Sequence, residues 1–146
     1  MKSATKAKKP AKSKVFSEAE LAAMQEAKKE RRKGGADGEA DLLAKINEMS
    51  GLDREIAEKL HEIVKASAPS LSPKTWYGMP AWAGADGKAV VFFTPAAKFK
   101  ERYATLGFNT GAKLDDGEMW ATSFAVIKLT DAVEKKIAAL VKKAAG

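Results

Sequence analysis

Three groups of side chains in this sequence have types and spacing that could do chemistry. In LDDGEMWATSF, Asp115 and Asp116 stand just ahead of Trp120, and two neighbouring carboxylates can form a general acid/base pair. Asp before Gly is also what a tight turn requires, and that reading is preferred. Glu55, Glu58 and Glu62 are spaced by three and four residues, which lines their carboxylates along one helix face behind Asp53. Hard oxygen donors in such a ridge can hold a hard cation loosely. The interleaved Arg54, Lys59 and Lys65 favour an ordinary solvated face. The third group is aromatic, in TWYGMPAW over residues 75–82, where Trp76, Tyr77 and Trp82 surround Gly78, Met79 and Pro80.

Complete catalytic sets are missing. There is no GxSxG, no phosphate-binding GxxxxGK[ST] and no GxGxxG. His61 is the only histidine, and Lys65 stands where HExxH needs its second His, so His61 reads as a structural or solvent-facing residue. With no Cys there is no disulfide, thiolate nucleophile or thiolate metal site. The expectation is a binding domain that is not an enzyme.

The aromatic stretch supports two readings. In an extended chain Trp76 and Gly78 face one way and Tyr77 and Met79 the other. Gly78 leaves a hollow beside the rings, and Pro80, lacking an N–H, makes the strand end, bend or lie at an edge. Either all the rings are core, or some line a shallow groove with Trp120, Asp115 and Asp116 for a small ligand or protein partner.

The elements that position these groups follow from charge and periodicity. The 146 residues carry a net charge of +7, and residues 1–33 account for all of it, with eleven Lys or Arg against four Glu. MKSATKAKKPAKSK is too poor in apolar side chains to fold, so residues 1–16 are expected to be a disordered basic arm. Lys6, Lys8, Lys9, Lys12 and Lys14 in it suit weak, salt-dependent contact with nucleic acid phosphates. Residues 17–35 read as a Ser17-capped helix, stopped by Gly34 and Gly35, that docks weakly through Leu21 and Met24. Residues 36–146 read as the domain. No window approaches the ~18 to 20 apolar residues of a membrane span, and the amino-terminal charges do not suit a signal peptide, so a cytoplasmic protein is expected.

Within the domain, Leu42, Leu43, Ile46 and Met49 mark one helix, and Ile56, Leu60, Ile63 and Val64, with Asp53 as N-cap, mark the next. Ten of the eleven aromatics fall between Trp76 and Phe124, the composition of a sheet. Asp86-Gly87 and Asp116-Gly117 mark turns, and a strand is expected through Phe124, Val126 and Leu129. A final helix capped by Thr130 carries Val133, Ile137, Leu140 and Val141. The fold class is α+β: an antiparallel sheet of about four or five strands with helices on one face.

WYGMPAW with GKAVVFF after it, and LDDGEMWATSFA before a terminal IAALVKKA helix, resemble the YdhG-like family of small bacterial domains of unknown function, over roughly residues 38–146. Ala121 stands where members often have Pro after the Trp. The resemblance implies a compact α+β domain. Some members are described as frataxin-like iron chaperones, so it also implies a link to iron, without supplying a catalytic residue.

Overall fold

The computed structural model describes residues 16–33 and 38–146, and the expected basic arm with its five lysines lies outside them. Four helices and five strands follow in the order α1 (Glu18–Lys33), α2 (Gly38–Asn47), α3 (Gly51–Ser67), β1 (Ser72–Trp76), β2 (Met79–Ala83), β3 (Ala89–Thr94), β4 (Ala104–Phe108), β5 (Ser123–Val126) and α4 (Asp131–Ala145). The strands form one antiparallel sheet in sequence order, so the fold is α+β. Among the described residues no helix is long and apolar enough to cross a membrane.

Strand register decides which side chains meet. Trp82 is opposite Val91, Val91 opposite Phe108, Phe93 opposite Leu106 and Leu106 opposite Phe124, so these residues share a face. Leu42 and Ile46 of α2, Ile56, Leu60 and Val64 of α3, and Ile137 and Val141 of α4 join them in one core. Asp131 and Glu134 open α4 and Thr130 Oγ1 accepts from Val133 N at 3.2 Å, so its cap and its apolar stripe both arise where the sequence puts them.

Asp53 is not the cap of α3. Ser50 takes the N-cap position, and the buried Asp53 carboxylate instead accepts from Ala96 N and Ala97 N, each at 3.0 Å. It ties the helix to the chain leaving β3. A carboxylate facing two backbone donors across 43 and 44 residues is a tertiary event that local spacing does not encode.

Helix α1 begins with a reciprocal capping box: Glu20 N donates to Ser17 Oγ at 3.1 Å, and Ser17 N donates to Glu20 Oε1 at 2.8 Å. Ala23 and Ala27, one turn apart, are buried, whereas Leu21 and Met24 are exposed. The helix meets the face of the sheet opposite the main core. Ser17 and Glu20 border the same hollow as Thr94 and Thr105, and Glu26 lies against Gly78. Small residues let α1 approach closely there, which helps explain why all five residues of β2 are buried.

Residues 76–79 do not form one continuous strand. Trp76 ends β1 and pairs with Met79 across a two-residue turn, in which Tyr77 and Gly78 have φ of 53° and 76°. Positive φ at both central positions matches the twist of a tight hairpin, at a steric cost for tyrosine. Pro80 lies inside β2 opposite Thr75, and the pairing of β2 with β3 starts only one residue later, at Ala81 and Phe92, so the position without an N–H falls where that second ladder begins. The Asp86-Gly87 turn joins β2 to β3, with Asp86 Oδ1 accepting from Lys88 N at 3.0 Å. Asp116-Gly117 lies within the long β4–β5 connection rather than closing a hairpin, and Leu129 falls beyond the end of β5.

Candidate functional site

The hairpin places Trp76 at the sheet edge, on the face opposite the main core. Phe92 of β3 shares that face, and the two rings meet at 4.8 Å between centroids because Ala81, on the strand between them, is small enough to lie beneath. On its other side Phe92 lies over Gly107 of β4. A methyl group there would stand 2.6 Å from both Cε1 and Cε2 of the ring. Tyr77 packs edge-on against Trp76, at 4.8 Å and 88°. Tyr77, Trp76 and Phe92 therefore form an aromatic strip running inward from β1.

Beside this strip is a cavity of about 590 Å3, bordered by Trp76, Tyr77, Lys74, Asp41 of α2, Ala27 of α1 and Gly84. Trp76 is half-buried and Tyr77 is 38% exposed. Lys74 Nζ donates to the carbonyl of Gly87 at 3.2 Å, which fixes the ammonium at the cavity edge. The lining combines an indole, a phenol, a carboxylate and an ammonium. It can hold a ligand with an apolar body and a polar rim.

The other members of the sequence-derived groove lie elsewhere. Trp82 is wholly buried on the opposite face. Its Nε1–H donates to His61 Nδ1 at 3.2 Å, and because an indole only donates, Nδ1 must be the bare nitrogen. Nε2 then carries the proton and donates to Glu39 Oε2 at 2.9 Å, while Lys65 Nζ donates to the same oxygen at 3.2 Å. The Glu39 carboxyl is held below the ordinary glutamate range, first by the His61 hydrogen bond and then by Lys65. His61 is thus a buried structural link between α2, α3 and β2. Met79 and Pro80 are buried, and Thr94 Oγ1 donates to Met79 Sδ at 3.1 Å. Asp115, Asp116 and Trp120 are exposed in the β4–β5 connection, near the other edge of the sheet. Asp115 and Trp120 border a separate hollow of about 440 Å3 with Phe108 and Leu114.

The glutamate ridge does not assemble a metal site. Glu58 Oε2 is 3.2 Å from Arg54 Nε and Glu62 Oε1 is 3.7 Å from Lys59 Nζ, and all three glutamates are exposed. Among the described residues no three His, Cys, Asp or Glu side chains are grouped to hold a metal ion. The donors present among the described residues do not fit iron.

Sequence reasoning overlooked Lys74, Asp41 and Phe92. The available signal was Tyr-Gly between two apolar runs, which reads as a hairpin once positive φ is granted to Tyr77. No protein-family model, curated protein or solved structure matches the chain.

Proposed function

We propose that this chain is a non-catalytic binding domain of the YdhG-like type. Its working surface is the cavity beside Trp76 and Tyr77, and its ligand is a small molecule with an aromatic or apolar body and a polar rim. The observation that carries this reading is the cavity itself, where two rings of the aromatic strip and the Lys74 ammonium border one hollow.

The three tryptophans make a built-in control, since Trp82 is in the core and Trp120 lies near the other edge of the sheet. Titration with indole and other aromatic fragments, followed by the three indole N–H resonances, is expected to move Trp76 and leave Trp82 and Trp120 in place. Trp76→Leu abolishes the response. Fragments that leave Trp76 unmoved, or shift all three signals alike, refute the assignment. Loss of the Lys-rich arm is expected to leave this titration unchanged, which separates it from any contact of the arm with nucleic acid.

A further inference from the structure

The sheet has two edges, and they are built differently. Strand β1 carries Pro73 and Lys74, both residues that discourage edge pairing, and α2 packs alongside it. Strand β5 has neither. From Met119 to Ile127 the sequence MWATSFAVI contains no charge, no Pro and no Gly. The chain is exposed at Met119, Trp120, Ala121, Thr122, Ser123, Ala125 and Ile127, with Met119 at 87% and Ile127 at 61%. These are the two most exposed large apolar side chains among the described residues.

Hydrogen-bond alternation shows what this edge offers. Phe108 N donates to Thr122 O at 2.8 Å, so in the antiparallel ladder Thr122, Phe124 and Val126 turn their backbone groups towards β4. Ala121, Ser123 and Ala125 must then turn theirs outward, where no other strand of the described residues lies.

We propose that β5 pairs antiparallel with β5 of a second copy of this chain, joining two five-stranded sheets into one. The ends of the segment identify a second copy as the occupant. Glu118 precedes it and Lys128 follows it, each five residues from Ser123, so a two-fold axis through Ser123, with the pairing continued past the four residues of β5, would bring Glu118 towards the partner's Lys128. The same register sets Ala121 opposite the partner's Ala125 and, where the flanking residues extend on pairing, Met119 opposite the partner's Ile127. Among the described residues, no ion pair is formed by Glu118 or Lys128 within the chain. Three outward-facing residues from each copy provide about six backbone hydrogen bonds. The pairing covers both apolar side chains without involving the Trp76 cavity, which lies towards the opposite edge of each sheet.

The test is sedimentation equilibrium on the full chain from low micromolar to millimolar protein. A reversible dimer is expected. Ala125→Pro removes an outward N–H without removing a donor from the β4 ladder, and it raises the dissociation constant by about tenfold or more. Where Ala125→Pro fails to fold by circular dichroism, Ser123→Pro removes another outward N–H and replaces it. Glu118→Lys and Lys128→Glu each weaken the dimer, and the double variant E118K/K128E restores it. The proposal is overturned by a chain that stays monomeric throughout, by a dimer that the folded proline variant leaves unchanged, or by charge exchange that fails to restore pairing.

Discussion

Replacing Gly107 by Ala tests whether the aromatic strip is held by close packing or merely adjacent. Gly107 does not have positive φ, so the backbone accepts alanine. In a strand without steric conflict, Gly→Ala stabilises by about 0.4–1 kcal/mol, chiefly by restricting the unfolded chain. Here the added methyl would lie 2.6 Å from two Phe92 ring carbons, well inside van der Waals contact. The ring can swing away only by leaving Trp76, its neighbour at 4.8 Å. Overpacking costs about 1–3 kcal/mol, and losing an aromatic pair costs about 0.5–1.5 kcal/mol. The net expectation for Gly107→Ala is therefore destabilisation by roughly 0.5–4 kcal/mol, opposite in sign to the generic effect. Urea unfolding of wild type, G107A, F92L and the double variant measures both the change and its coupling to the ring. G107A should also alter the Trp76 indole resonance and leave Trp82 unchanged. Stabilisation by G107A, or coupling to F92L below about 0.5 kcal/mol, refutes the packing account.

Asp53→Ala removes the acceptor for Ala96 N and Ala97 N and should cost about 2–3 kcal/mol in urea unfolding, with faster amide exchange at those two positions. Glu39 is more acidic in the folded chain than in the unfolded one, so the unfolded state binds the proton first as pH falls. Its stabilising contribution is present above the ordinary glutamate range and disappears as pH drops through the lowered folded value. Glu39→Gln should accordingly flatten the acid side of a plot of stability against pH, and an unchanged slope would show that the His61 and Lys65 contacts do not persist in solution.

Features carried by neighbours in the chain were legible beforehand. The Ser17 cap, the Thr130 cap, the Asp86-Gly87 turn and the apolar stripes of α3 and α4 each depend on residues within one or two turns, and each is found where the sequence puts it. The change from helical to strand periodicity near Trp76 likewise gave the α+β class, because pattern length alone distinguishes the two. The site was legible only in part. Trp76 and Tyr77 do border a cavity, but Trp82 alternates to the other face and Trp120 belongs to a connection near the far edge.

What the sequence by itself determined was the set of elements, their order and the concentration of positive charge before residue 34. Tertiary structure decided which aromatics stay accessible. The turn at Tyr77 and Gly78 folds β2 back on β1, and the period of two then sends Trp82 into the core towards His61 while Trp76 rests against Phe92 over Ala81. Tertiary structure also turned Asp53 from an expected helix cap into a tether and left β5 as the unguarded edge. Those outcomes depend on partners far apart in sequence, and register brings them together only when the whole sheet has formed.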